Sequence, residues 1–372
     1  MRSGSVTSQH DPASCVERIV SVHVHTTHSD GTGSHADIAR HARAARVDVV
    51  LCADHNTWPK DEERWRQGTL ILIGEEVHAP SRPLENHLLI FGADASMAPY
   101  AEDTQGLLDA VRDHGGLAFL AHPYEHSGAY ADEPEINWTR WDAQGYAGIE
   151  LWNYMSEFKS YARTLASTLA AILAPRRYIR GPYPQTLHRW QHLLADQAVV
   201  AIAGSDAHAG RYGWGPLKIT VLPYRHLFRA LNTHLLLADD WSGDAAKDAG
   251  LVYAGLRAGR AFLGYDGLAP TTGFLFEAHR RDRAVTMGDM LTLRDRVWLR
   301  VQTPAKALIR LYRNGHLLTQ TRGRQLSVAI RQPGRYHIEA YRRLAGIRRH
   351  WIIANPIHVT SSSPEAALGS PA

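Results

Sequence analysis

One short apolar run after another in the first two thirds of this chain stops at, or starts from, a histidine or a carboxylate. The first reads Ile19-Val20-Ser21-Val22-His23-Val24-His25, and a late one reads Val199-Val200-Ala201-Ile202-Ala203-Gly204-Ser205-Asp206-Ala207-His208. In a strand, residues i and i+2 point to the same side, so each pair of polar side chains can converge on one point. Imidazole and carboxylate are the common ligands of Zn and similar divalent ions. Between these runs the pattern continues. Asp30-Gly31 follows the first strand, Asp54-His55-Asn56 caps the run from Val47 to Ala53, and Glu76 follows Leu70-Ile71-Leu72-Ile73-Gly74. His87 opens Leu88-Leu89-Ile90-Phe91, and His122-Pro123 closes Leu117-Ala118-Phe119-Leu120-Ala121. The chain holds 22 histidines, but random scatter does not explain why strand borders are selected.

Helix signals separate these runs. Ser34 with Asp37 has the capping-box spacing and opens a helix carrying Ile38, Ala42 and Ala45. Thr104 is positioned to cap a second helix with Leu107, Leu108 and Val111 on one face, ended by Gly115-Gly116. Strands alternating with helices predict a parallel sheet, and parallel barrels collect their reactive groups at the strand C-termini. In that arrangement Val20, Val22 and Val24 pack outward beneath helices, while His23 and His25 face the mouth. Residues 156–195 interrupt the alternation. The stretch from Tyr161 to Leu173 reads as helix, followed by the breakers Pro175, Gly181, Pro182 and Pro184. From about Thr271 the period falls to two, as in Val297, Leu299 and Val301, then Leu326, Val328 and Ile330, then Tyr336, Ile338 and Ala340. Asn314-Gly315 marks a hairpin, so a small β-sandwich-like region is expected.

Composition narrows the class. A 372-residue chain is long enough for a barrel and a smaller module, and 44% hydrophobic content supports a sizeable core. A net charge of +4 does not by itself call for nucleic acid. The arginines Arg310, Arg313, Arg342, Arg343, Arg348 and Arg349 read first as the solvated face of strands. Cys15 and Cys52 make no disulfide framework. No apolar run approaches the ~20 residues that cross a bilayer, and no signal-peptide core is visible. A soluble cytoplasmic protein with a small-molecule substrate and no membrane partner is expected.

In chain order, His23-x-His25, Ser29-Asp30-Gly31, Asp54-His55-Asn56, Gly74-x-Glu76, His87, Ala121-His122-Pro123 and Ser205-Asp206-Ala207-His208 resemble the PHP (polymerase and histidinol phosphatase) superfamily over roughly residues 18–268. Ile149-Glu150-Leu151-Trp152-Asn153, Trp190 to Ala195 and Gly259-Arg260-Ala261-Phe262 look most like its CehA/McbA-type branch. The resemblance implies an α/β fold, a distorted (β/α)7 TIM-like barrel with two to three divalent metal ions at its mouth. The domain division expected is a flexible tail at 1–17, the barrel at 18–268, an all-β domain at 271–360 and a disordered tail at 361–372. By resemblance, His23, His25, Glu76 and Asp206 hold the first metal, and Glu76, His87 and His122 the second. Asp30, His55 and His208 match the third, with Asp30 replacing the histidine of some trinuclear members. Glu76 is chosen over Glu75 by the family spacing, and His87 over His78 because it opens an apolar strand. Asp54 reads either as an orienter of His55 or as a structural hydrogen bond. Mixed nitrogen and oxygen ligands suit Zn, Mn or Fe alike.

The implied activity is metal-dependent hydrolysis through a metal-bridging hydroxide. A phosphoesterase acting on a small phosphorylated substrate is the first reading, with Glu76 and Asp206 central to catalysis and Arg211 as a phosphate clamp. Arg82 is a second candidate clamp. A carboxylic or carbamate ester hydrolase is the second reading, supported by the branch and by Trp58, Trp152 and Tyr154 near the motifs. A nuclease is the third. A vestigial binding module is disfavoured, because decayed sites lose ligands and this set is complete.

Overall fold

A computed structural model of the chain describes residues 15–128, 134–212, 219–281, 283–294 and 296–361. Residues 1–14 and 362–372, the greater part of the two expected tails, lie outside the described residues. The first strand already begins at Val16.

Eight strands build the first half of the fold: β1 (Val16–Val24), β2 (Val49–His55), β3 (Arg64–Arg66), β4 (Thr69–Val77), β5 (Leu88–Phe91), β6 (Leu117–Leu120), β7 (Gly148–Asn153) and β8 (Val200–Ala207). Seven of them close a barrel. Parallel ladders join β1 to β2, β2 to β4, β6 to β7, β7 to β8, and β8 back to β1. β3 is an added hairpin arm on β4. The expectation of a wholly parallel sheet fails at β5, which runs antiparallel to both β4 and β6. Residues 78–87 are too few for the crossover of about a dozen residues that a parallel return requires, so the chain doubles back at the mouth. This reversal brings His87, which precedes its strand, to the same end as the residues that follow theirs.

The helices are α1 (His35–Ala45), α2 (Thr104–Asp113), α3 (Tyr154–Lys159), α4 (Leu165–Leu173), α5 (Pro175–Tyr178), α6 (Pro184–Asp196), α7 (Tyr224–Leu227) and α8 (Ala245–Ala258). The Ser34–Asp37 capping box is formed. On α2 the cap is Asp103 rather than Thr104, its carboxylate accepting from the Gln105 amide. The helix expected from Tyr161 begins at Leu165, where Thr164 and Ser167 form a capping box. Among the described residues the connections after β4 and β6 contain no α-helix.

Two apolar layers hold the barrel. Val20, Val22, Val49, Leu51, Leu70, Leu72, Leu89, Phe91, Phe119 and Ile202 fill its interior, each worth ~1.5–3 kcal/mol when fully buried. α8 seals the base with Ala249, Val252 and Leu256. The alternate set, including Val24, Val50, Cys52, Ile71, Ile73 and Ala201, packs outward against Ile38, Ala42, Leu107 and Trp190. Val20 and Val22 therefore point inward, not beneath helices as expected; only Val24 does the latter.

Beyond the barrel lie β9 (Arg211–Tyr212), β10 (Ile219–Thr220), β11 (Asn232–Leu237), β12 (Ala261–Gly264), β13 (Leu275–Arg280), β14 (Arg283–Thr286), β15 (Met290–Thr292), β16 (Val297–Arg313), β17 (His316–Ile330), β18 (Gly334–Leu344) and β19 (Ile347–Thr360). β16 and β17 form the hairpin foreseen at Asn314-Gly315, whose φ values of 50° and 77° match a two-residue turn. Phe276, Leu299, Ile309, Ile338 and Ile352 belong to their own core. β11 pairs with β1, β12 with β11, and β19 with β12. The Asn355 side chain bonds the backbones of Ala201 and Ala261, so the C-terminal strands are laced to the barrel. No helix among the described residues is long and apolar enough to cross a membrane.

Candidate metal centre

Period-two alternation along β4 turns Leu70, Leu72 and Glu76 into the barrel and Ile71, Ile73 and Glu75 out of it. Glu75 accordingly accepts from Ser96 and the Met97 amide on the outer side. Glu76 stands at the centre of the mouth. Its Oε1 lies 2.8 Å from His87 Nδ1 and 3.0 Å from His122 Nε2. Its Oε2 lies 3.2 Å from His23 Nε2, His25 Nε2 and His55 Nδ1 alike. One carboxylate thus has a distinct set of imidazoles on each oxygen.

The first strand reaches this arrangement through a break in its own rule. Val22 faces inward, so an unbroken strand would turn His23 outward. A bulge between Val22 and Val24 and a φ of 62° at His23 reset the alternation, and His23 and His25 both turn in. His122 (φ 25°) and Asp206 (φ 50°) also lie in the left-handed region that side chains seldom occupy. Such residues cost about 1–3 kcal/mol each and persist where surrounding contacts hold them.

Those contacts are visible. Glu150, fully buried on β7, places Oε1 2.9 Å from His23 Nδ1. Its Oε2 accepts from the His122 amide at 2.7 Å and from Asn153 Nδ2 at 3.0 Å. The Asn153 amide also reaches Asp206 Oδ2 at 3.3 Å. Gly204 leaves the room this needs, since a Cβ there would lie 1.7 Å from Glu150 Oε1. Asp54 does not orient His55. It accepts from the Thr26 amide, Thr26 Oγ1 and Ser29 Oγ, fixing the turn that presents Asp30.

The remaining expected residues gather at the rim. Asp206 Oδ1 lies 3.4 Å from His25 Nε2 and 3.5 Å from both His23 Nε2 and His208 Nδ1. Asp30 Oδ2 lies 3.2 Å from His208 Nε2 and 3.7 Å from His55 Nε2, and the His25 and His208 rings stack 4.1 Å apart. All nine residues singled out as metal-type therefore meet in one cluster. Four groupings able to hold a divalent ion follow: His23 with His25 and Glu76; Glu76 with His87 and His122; His23 with His122 and Asp206; and His25 with Asp30, His55 and His208. His78, set aside in favour of His87, stacks on that ring at 4.4 Å and forms a further grouping with His55 and His87. Glu150 and Asn153 entered the sequence reading only through resemblance. A lone acid inside the apolar run Ile149 to Leu151 is the signal that could have found Glu150.

Burial opposes charge throughout, and the opposite charges overcome it. Burial would raise the Glu76 carboxyl, but His23, His55, His87 and the His122 hydrogen bond hold it well below the usual carboxylate range. Asp206 is held down in the same way by His23 and His25. Burial would lower His25, yet the Asp206 and Glu76 carboxylates beside its Nε2 raise it to about 9. At His78 burial, then His87 and His55, outweigh Glu76 and Asp30 and push the ring down to about 4. The buried nitrogens His25 Nε2, His55 Nδ1 and His122 Nδ1 have no hydrogen-bond partner. The first two of these face the Glu76 carboxylate, and imidazole nitrogens without a bonded partner beside an ionised carboxylate are a donor set that fits divalent cations.

Two other groups of residues make no hydrogen bond or ion pair with the cluster among the described residues. Trp152 and Tyr154 are core residues, bonded to Glu157 and His226. Arg211 is exposed on β9, and Arg82 is exposed with its guanidinium on the Glu102 carbonyl. No hydrogen bond or ion pair among the described residues joins either arginine to the cluster. A cavity of about 490 Å³ lies at the opposite end of the barrel, lined by Leu117, Val200, Gly259 and Asn355, and takes no part in this chemistry.

No family model matches the chain, and no curated protein does. Among solved structures it aligns with a two-domain protein from Bacteroides vulgatus containing a predicted PHP-like metal-dependent phosphoesterase. That alignment has 13% identity and a TM-score of 0.42, over 96% of this chain and 99% of the other. It also aligns with an amidohydrolase from Chromobacterium violaceum with sulfate bound and no metal, at 13% identity and a TM-score of 0.28, over 51% of this chain and 87% of the other. At these scores the functional reading rests on the residues themselves.

Proposed function

We propose that the chain is a PHP-type metal-dependent hydrolase, with a distorted (β/α)7-like barrel at residues 18–268 and an all-β domain at 271–360, acting as a phosphoesterase on a small phosphorylated substrate. The observation that carries this reading is Glu76, whose two oxygens face separate imidazole sets, as a carboxylate shared by two cations would. His23, His25 and Asp206 would hold one ion with it, and His87 and His122 another. Asp30, His55 and His208 would hold a third. When bound, such cations supply a nucleophile from water at neutral pH and offset the charge that develops on the ester. The chain's own residues do the positioning. Glu150 fixes the His23 ring and the His122 backbone, Asn153 steadies Asp206, and Asp54 braces the turn that carries Asp30.

Hydrolysis of a carboxylic or carbamate ester, as in the CehA/McbA-type branch, is the second reading. The observation in its favour is that no arginine or lysine among the described residues forms a hydrogen bond or ion pair with the cluster, and a neutral ester needs none. Arg211→Ala separates the two. A hydrogen bond to a charged group is worth ~1.5–3 kcal/mol, so a phosphomonoester should lose about 10- to 150-fold in kcat/KM. Metal content should stay unchanged. Turnover of an aryl carboxylic ester in preference to phosphate, indifferent to Arg211, transfers the assignment to the second reading.

A further inference from the structure

The connection between β7 and β8 carries a surface that the hydrolytic reading does not use. From Phe158 to Ala195 the sequence contains Lys159, Arg163, Arg176, Arg177, Arg180 and Arg189 and no aspartate or glutamate. Within it α4 bears no charge at all, and its amphipathicity is reversed. Ala171 is the residue it buries fully, while Leu165, Leu169 and Leu173 are 53%, 44% and 83% exposed. Spaced i, i+4 and i+8, these leucines form a straight ridge about 12 Å long. Ile172 packs inward on the barrel's outer core, so α4 is docked with its ridge outward. Arg163 precedes the ridge, and Arg176, Arg177 and Arg180 follow it, all exposed. None of the four pairs with a carboxylate among the described residues.

We propose that this ridge is a peripheral docking element for an anionic lipid surface. Leucines on a charge-free helical face, with guanidinium groups at both ends, suit insertion at the boundary of acyl chains and headgroups, where arginine stems lie along the apolar layer and their heads reach phosphate. A second copy of the chain is a poor occupant, because a symmetric contact would set arginines against arginines with no carboxylate in the segment to offset them. The connection that carries the ridge starts at the histidine-bearing end of the barrel. Asn153, the cap of α3 that begins this connection, is the residue that touches Asp206. Docking through the ridge is a peripheral association that departs from the absence of a membrane partner expected from sequence. It goes beyond the hydrolase reading and does not depend on it.

The test is sedimentation of the full-length protein with vesicles of phosphatidylcholine, with and without phosphatidylglycerol. Wild type should pellet with the anionic vesicles and remain in solution with neutral ones. Leu169→Glu/Leu173→Glu should remain in solution with both, with unchanged thermal stability and metal content. Arg163→Gln/Arg177→Gln should lower partitioning about thirtyfold, as expected for two cations near such a surface. Wild type left in solution, equal pelleting on neutral vesicles, or full pelleting of the leucine variant would each overturn the proposal. So would light scattering that shows a wild-type dimer and a monomeric leucine variant, which would make the ridge a contact between copies.

Discussion

Glu150 offers a sharp test of how the centre is held. Its two oxygens serve three donors: His23 Nδ1 at 2.9 Å on one, and the His122 amide at 2.7 Å with Asn153 Nδ2 at 3.0 Å on the other. Glu150→Gln preserves volume but leaves only one acceptor oxygen. Whichever way the amide turns, its NH2 must face either the imidazole or the two N–H donors. A buried donor without an acceptor costs ~1–3 kcal/mol, and loss of a carboxylate behind a metal-binding histidine costs 10- to 100-fold in metal affinity. The two estimates agree, since 10- to 100-fold is about 1.4–2.7 kcal/mol. The assay is competition between apo-protein and a chromogenic chelator for Zn or Mn, with circular dichroism to confirm that the variant is folded. Affinity should fall by that factor while stoichiometry persists at saturating metal. A folded E150Q that binds with wild-type affinity would refute the claim that Glu150 positions His23 and His122.

The two adjacent acids on β4 should behave oppositely. By elemental analysis Glu76→Ala and Asp206→Ala should lose metal and hydrolysis, whereas Glu75→Gln should keep its metal because Glu75 faces Ser96 outside the barrel; full metal in all three would sink the assignment. His234, buried between Glu17 and Asp266, supplies a pH dependence. Burial lowers the ring, but Asp266 and Glu17 outweigh it and raise it from 6.5 to about 9. The protonated ring is thus favoured in the folded state. Its contribution, about 3 kcal/mol from ~1.4 per pKa unit, is fully present below pH 6.5 and lost as pH rises through 9. Urea midpoints should fall across that window more steeply for wild type than for His234→Gln, and parallel slopes would contradict the ion-pair reading.

How far the site was legible depended on which rule governed each residue. Glu76 is separated from Glu75 in the sequence by the family spacing, because the run Leu70-Ile71-Leu72-Ile73 is apolar on both faces and only the fold shows that Leu70 and Leu72 face inward. Strand parity fails at His23. Parity counted from Val20 and Val22 turns it outward, and only a bulge with positive φ turns it in. His78 was passed over because it opens no apolar strand, yet the reversal of β5 stacks His87 upon it. Asp54 sits next to His55 in sequence but serves Thr26 and Ser29, since neighbours along a strand face opposite sides.

The sequence by itself determined which groups could bind metal, their order along the chain, the barrel-forming alternation and the Asn314-Gly315 hairpin. These follow from local chemistry, because side-chain type and period-two burial act within a few residues. Tertiary structure alone decided that β5 runs backwards, that His55 joins His23 and His25 on one Glu76 oxygen, and that Glu150 braces His23 from a strand 127 positions away. The physical reason is strain. A left-handed histidine at a strand end is unfavourable on its own, and it is held only when distant partners, here Glu150 and the space above Gly204, are assembled around it.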